Sequence, residues 1–254
     1  MAVQSVDRAL DLLEALAQAG KPLGVGEIAE HTGLPQGTAH RILQSLQERG
    51  YVRRDGSRKY SLGTASVQLA DGAQRSLARS ARPYLAELVS LSGETANLAV
   101  REGDDVVYIA QVSSPHTLRM FAEVGRHVPP HSTAVGKVLL AALPREEVRA
   151  ILRRTGLAPR TAATITDEAA FEAELDLVIA QGWAADEEEQ EAGVRCVAVP
   201  VGGPGPTVAA MSLSGPADRF AGGRADGLVE AMQRVGRAFG DGSPPQQPPD
   251  LAAD

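Results

Sequence analysis

Three side chains able to bind or react fall in one stretch, EAGVRCVAVPVGGPGPTVAAMSLSGP (residues 191–216): Cys196, Ser212 and Ser214. Two valine-rich runs flank the Gly/Pro segment 202–206, which is the pattern of a β-hairpin. If GGPGP is the loop, Val201 pairs with Thr207, Cys196 stands opposite Ser212, and Val194 stands opposite Ser214. Side chains alternate with period two along a strand, so these four residues share one face. Met211 and Leu213 then point to the other face, toward a core. A thiol and two hydroxyls over apolar walls suit a small anion, because hydroxyls donate to its oxygens while the walls exclude water. Alternating serines are equally the pattern of a half-polar strand face.

A lone cysteine with histidines elsewhere also raises thiol catalysis. The five histidines are His31, His40, His116, His127 and His131, and Arg195 adjoins the cysteine. Arg195 alternates to the opposite face, however, and a thiol with an ordinary pKa of about 8.5 needs an activator. No G-x-S-x-G elbow is present either, so the chain is not expected to be an enzyme. The acidic run DEEEQE (186–191) has no His or Cys at ligand spacing, which argues against a metal and reads as a solvated loop. HSTAVGKV is not a phosphate loop, since His131 stands where the first glycine is needed and Val138 follows Lys137. No cofactor is expected.

The elements that must position these residues follow from periodicity. At 254 residues with 43% hydrophobic content, the chain is long enough for two domains with their own cores. One cysteine excludes an intramolecular disulfide framework and suits a reducing cytoplasm. Neither a signal peptide nor an apolar run of membrane-spanning length is seen, so a cytoplasmic protein with no membrane partner is expected. In SVDRALDLLEALAQAG, apolar residues recur every three or four positions, which predicts a helix with Ser5 as N-cap and Gly20 at its end. A short helix carrying Ile28 and Ala29 stops near Gly33. A second starts near Pro35 or Gln36, with Ile42, Leu43 and Leu46 on its inner face. YVRRDGSRKYSLG predicts a small hairpin around Asp-Gly. Residues 64–91 look helical, with a break or restart at Pro83. TANLAVREGDDVVYIAQVS predicts a second hairpin. PREEVRAILRRTG and TDEAAFEAELDLVIAQG predict helices, the latter capped by Thr166, and a last helix covers about 225–239. The Pro/Gly-rich tail 241–254 is expected to be disordered.

The two helices around Gly33 form the pattern of a helix-turn-helix, whose second helix enters the major groove. Its first residues, Gln36, Gly37, Thr38, His40 and Arg41, are the candidate DNA contacts, and Arg58 and Lys59 on the hairpin would reach the adjacent groove. Residues 36–60 carry six Lys+Arg against two acids, a local positive field where phosphates would lie. Residues 1–83 have a net charge of +3 and the remainder −10, so the basic end is the one suited to nucleic acid.

The segments SVDRALDLLEALA, IAEHTGLPQGTAHRILQSLQERGYV, YSLG, PHTLRM, HSTAVGKVLLA, GWAADEEEQEAGVRCVAVPV and AAMSLSGP occur in this order. Together they resemble the IclR family of bacterial transcription regulators over residues 3–240. The resemblance implies an α+β protein with a winged helix-turn-helix domain (1–63), a linker helix (64–80) and a GAF-like effector domain with an antiparallel sheet (81–240). It further implies operator DNA as partner, a small organic acid as effector, and a homodimer or dimer of dimers. The expected function is that of a ligand-responsive regulator, read as a repressor. Carried over residue by residue, the family's ligand contacts fall on Asp186, Cys196, Ser212 and Ser214. Backbone donors to a carboxylate fall on Ala134 and Val135, and apolar walls on Thr117, Met120, Val128 and Val194. Where common family members have smaller or glycine-bearing pairs, this chain has Ala134-Val135, which keeps the N–H groups and narrows the pocket.

Overall fold

The computed structural model of the chain describes residues 3–120, 123–202, 207, 209–220 and 224–245, without the side chains of 224–226. It divides into two compact units, residues 1–76 and 77–254.

In the first unit, α1 (Gln4–Ala19), α2 (Val25–Thr32) and α3 (Gln36–Glu48) precede the strands β1 (Val52–Arg54) and β2 (Tyr60–Leu62). Leu12, Leu16, Ile28, Ala39, Leu43, Val52 and Tyr60 close a single core. Each comes from the apolar stripe of its element, so burying these stripes fixes the mutual angles of the helices. Gly33 sits in the left-handed region at φ 64° and its N–H bonds back to Glu30, making the tight turn between α2 and α3. Leu23 adds a bridge to Tyr60, giving the hairpin a third backbone partner. Helix α1 starts two residues earlier than expected, with Val3 at the N-cap in place of Ser5 and no side-chain cap.

Helix α4 (Thr64–Ser92) runs through Pro83 without interruption, contrary to the expected break. Ala81, Tyr84, Leu85 and Leu88 pack on the sheet of the second unit on both sides of the proline. Pro83 itself faces outward, so the carbonyl it leaves unpaired on exposed Arg79 can reach water.

The second unit is built on a six-stranded antiparallel sheet of order β5-β4-β3-β8-β7-β6. Its strands are β3 (Thr95–Glu102), β4 (Asp105–Val112), β5 (His127–Val128), β6 (Ala184–Glu187), β7 (Val194–Pro200) and β8 (Ala209–Pro216). One face carries Leu98, Val197, Val199, Met211 and Leu213 against α4 and α8 (Arg224–Asp241). The other carries Ala99, Ala198 and Ala210 against α5 (Ala134–Ala141) and α7 (Glu168–Gln181). Helix α6 (Arg145–Thr155) closes a smaller cluster with α7 through Ile151, Phe171 and Leu175. The N-cap of α7 is Asp167, whose carboxylate accepts from Ala170 N, rather than Thr166. The acid one residue on has the better geometry and also favours the positive end of the helix.

The expected hairpin is present, but its register differs by two residues. Cys196 stands opposite Ser214, Ala198 opposite Ser212 and Val194 opposite Pro216, while Val201 N bonds to Ala209 O. The connection is longer than GGPGP, so Thr207 does not pair with Val201. A slip of two leaves every side chain on its expected face, whereas a slip of one would have inverted them all. The run at 186–191 is not a solvated loop: Asp186 and Glu187 belong to β6, and Asp186 and Glu189 are buried. Of the expected tail, residues 241–245 are in place. The Tyr84 hydroxyl donates to Ser243 O at 2.6 Å, and Ser243 N bonds to Ala238 O. The rest lies outside the described residues.

Candidate functional sites

The first site is the outer face of α3 and the neighbouring hairpin. Ala39 and Leu43 turn into the core, which leaves Gln36, Gly37, His40 and Arg41 exposed and Thr38 half-buried. Between β1 and β2, the Asp55 carboxylate accepts from Ser57 N and Lys59 N, each at 2.9 Å. Arg58 is held at the tip with φ 62°, a conformation a side chain adopts only when its surroundings impose it. Arg53 bonds to Ser61, and Arg54 lies over the Tyr60 ring. Among the described residues, the side chains of Arg41, Arg58 and Lys59 make no hydrogen bond or salt bridge, so three cations remain for an anionic partner.

The second site is a cavity of about 30 Å³ in the other unit, with room for about two waters. It is lined from separate segments of chain. Cys196 and Val194 come from β7, Ser214 from β8 and Asp186 from β6. Tyr108 comes from β4, Val128 from β5, and Met120, Arg126, Thr133, Gln190 and Glu191 from loops. Of the expected contacts, the cavity brings together Met120, Val128, Asp186, Val194, Cys196 and Ser214. Thr117 is exposed and outside the lining, because the chain bends into solvent after β4. Ser212 is buried one pair further along β8. Ala134 and Val135 form the buried first turn of α5, directly after Thr133. Their N–H groups precede the first intrahelical bond, which Lys137 N makes to Thr133 O.

Asn97 ties the polar side of the sheet together and gave no motif signal. Its amide donates to Ser212 Oγ at 3.4 Å and Ser214 Oγ at 3.3 Å, and its carbonyl accepts from Gln111 at 3.0 Å. Each serine therefore accepts inside the sheet, and the Ser214 hydroxyl also bonds to the Cys196 side chain. The only clue in the sequence is an asparagine inside an otherwise apolar strand.

Asp186 is held with one oxygen accepting from Glu189 N at 2.7 Å and Gln190 N at 3.3 Å. Burial pushes its carboxyl up to about 7, and these N–H donors and the Lys137 ammonium offset only part of that. The folded value thus lies above the ordinary unfolded value of about 3.9. The folded protein holds the proton more tightly, so stability falls as pH rises from about 4 to about 7 and then levels off. In Asp186→Asn, which keeps the acceptor for both N–H groups, this loss is expected to vanish. Urea midpoints between pH 5 and 8 should fall more steeply for the wild type than for the variant; parallel profiles would refute the assignment.

The chemistry of Cys196 is that of a neutral contact. Burial and the neighbouring Asp186 both raise its thiol above the usual range, so it stays protonated. Arg195 faces away and pairs with Glu187 at 2.7 Å. The His131 Nε2–H donates to Ala158 O at 3.0 Å, and burial pushes its imidazole down. His127 lies 3.6 Å from Glu102. Neither histidine lines the cavity. Among the described residues there is no group of three or more His, Cys, Asp and Glu side chains placed to hold a metal ion, and no helix is long and apolar enough to cross a membrane.

Two family models match the chain: the IclR helix-turn-helix domain over residues 5–56, and the bacterial transcriptional regulator IclR C-terminal domain over residues 73–240. Among curated relatives, the HTH-type transcriptional regulator KdgR of Escherichia coli K12 is 38% identical over 239 residues, covering 92% of this chain and 90% of that protein. The transcriptional repressor IclR of the same organism is 33% identical over 253 residues, covering 94% and 90%. Among solved structures, an IclR homolog from Microbacterium hydrocarbonoxydans complexed with 4-hydroxybenzoate has a TM-score of 0.60 at 25% identity, covering 92% of this chain and 97% of that one.

Proposed function

The chain belongs to the IclR family of bacterial transcriptional regulators, and from that premise we propose that it is a cytoplasmic repressor whose operator affinity is set by a small carboxylic acid bound between β7, β8 and the start of α5. The observation that carries this reading is the convergence of Cys196, Ser214 and Asp186 on one enclosed cavity beside the N-terminus of α5. Unused N–H groups of a first helical turn and nearby hydroxyl donors favour an anion. The relative with a printed ligand holds 4-hydroxybenzoate, itself a carboxylic acid, and a relative of similar length is named a repressor.

On the DNA side, Gln36, Gly37, Thr38, His40 and Arg41 enter the major groove, while Arg58 and Lys59 lie on the flanking backbone or groove. A homodimer, alone or paired into a tetramer, presents two such helices to successive turns of the duplex, about 34–36 Å apart or a multiple of that. Acid binding favours one arrangement of the subunits, and α4, continuous through Pro83, passes that preference to the DNA-binding units. A coupling of about 1–3 kcal/mol is the usual scale.

Operator binding measured with and without an acid found by thermal shift tests both halves. Arg41→Ala is expected to weaken operator binding. The double variant Ser212→Ala, Ser214→Ala is expected to bind operator normally and lose the response to acid. A double variant that responds at the wild-type acid concentration would show that the cavity is not the sensor.

A further inference from the structure

Tyr108 has no counterpart among the contacts the family pattern supplies, yet it occupies a wall of the cavity. Only 8% of its surface is exposed, and among the described residues no group hydrogen-bonds to its hydroxyl. A buried tyrosine normally finds a partner for its O–H, so an unpaired phenol beside a cavity points to a ligand atom as that partner. Burial raises its pKa, and the negative ends of Cys196 and Asp186, which line the same cavity, raise it further.

The strand is specifically distorted to put it there. Simple alternation along VVYIAQV would place Tyr108 with Ala110 and Val112 and opposite Gln111. Instead the pairing with β3 jumps from Leu98↔Ala110 to Ala99↔Tyr108, leaving Ile109 as the extra residue of a bulge. Ala110 packs on the α8 side, while Tyr108 joins Val106, Val128 and α5 on the cavity side. A bulge that re-aims one side chain is a recurrent feature beside binding sites.

We propose that Tyr108 is an effector contact that selects acids bearing a hydroxyl next to the carboxylate, the hydroxyl donating to Asp186 and accepting from the Tyr108 phenol. This rests on the acid-sensing reading above and narrows it to hydroxy acids. The carboxylate meets Ser214 and the start of α5, and Tyr108 and Asp186 of the same lining supply one phenol O–H and one carboxyl. One Asp186 oxygen accepts from two backbone N–H groups, and the Cys196 thiol also bonds to this carboxyl; the effector hydroxyl meets its second oxygen. A hydroxyl matches that oxygen in either protonation state, since it both donates and accepts. A keto oxygen accepts only, and fits only the protonated acid. An unsubstituted acid leaves the Tyr108 phenol with no partner in the cavity, and sites built to bond a polar group reject analogues that lack it.

The test is calorimetric titration of the full-length protein with matched acids: acetate and glycolate, propionate and lactate. In the wild type the hydroxylated member of at least one pair is expected to bind about tenfold tighter or more. In Tyr108→Phe that preference should fall to within about twofold, with the unsubstituted member unchanged. Acids that bind, and are lost in Ser214→Ala, but show no hydroxyl preference or keep it in Tyr108→Phe would overturn the inference and leave the sensing reading standing. If no acid binds the wild type, both fall. Should Tyr108→Phe fail to fold, the methyl ether of the best hydroxy acid replaces it on the wild type, and undiminished binding of that ether would equally overturn the proposal.

Discussion

Lys137→Met is expected to destabilise the second unit by about 3–5 kcal/mol, the usual cost of removing one partner from a buried ion pair. Lys137 is 1% exposed, among the largest fully enclosed side chains of the described residues. Its ammonium donates to Glu189 Oε1 at 2.5 Å, Glu174 Oε1 at 3.0 Å and the Ala185 carbonyl at 3.0 Å. Those three groups lie on the loop after β6, on α7 and on β6, so one cation from α5 ties three elements at the edge of the cavity. All three of its protons are used, which is the condition under which a buried charge is tolerated. Methionine fills a similar volume but leaves the Glu189 carboxylate buried without a counter-charge. Urea unfolding followed by far-UV circular dichroism measures the loss. Adding Glu189→Gln to Lys137→Met should recover part of it, because the stranded charge is then gone. A single variant within about 1 kcal/mol of wild type would mean that water reaches the carboxylates once the lysine is removed.

Gly136→Ala is expected to cost about 1–3 kcal/mol and to abolish the acid response. On propensity alone the sign should be opposite, since alanine in a helix interior is favoured over glycine by about 1 kcal/mol. Gly136, however, lies in the first turn of α5 with the backbone of Pro130 packed against it, and a Cβ would overlap the Pro130 carbonyl and Cα. Backbone cannot swing aside as a long side chain does, so α5 or the Pro129-Pro130 segment must move. Either shift displaces Thr133, which lines the cavity, together with the first turn of α5 that follows it. Gly72 in α4 supplies the control, as a Cβ there meets nothing within 4 Å. Gly72→Ala should be neutral or stabilising. If Gly136→Ala behaved like Gly72→Ala in both unfolding and acid response, the close packing at Pro130 would not matter.

These two predictions concern adjacent residues whose roles the sequence concealed. HSTAVGKVLLA invites comparison with a phosphate loop and fails it, but its apolar residues surround the helix rather than marking one face. Periodicity therefore offered no sign of α5. A lysine in such a run is ordinarily a solvated charge, and only the folding of α7 and β6 around it reveals a buried one. Asp186 was hidden similarly, because DEEEQE reads as a soluble acidic run and β6 is four residues long.

Where a pattern depends on local physics, the residues alone were sufficient. The apolar stripes of α1 to α3, the left-handed Gly33 and the excess of basic residues on α3 and its hairpin are written at spacings of three to five residues. The shared face of Val194, Cys196, Ser212 and Ser214 is equally local, since it requires only the parity of the register. The register itself did not follow, because the length of a Gly/Pro connection is not encoded by the strands it joins. Tyr108 shows the limit most sharply. Alternation alone keeps Tyr108 on one face with Ala110 and Val112, and the bulge at Ile109 that separates them exists only where β4 must pair with β3. Composition and periodicity thus determined which surfaces are apolar, basic or hydroxylated. Tertiary packing alone decided which side chains are brought together without water, and so which of them can hold a ligand.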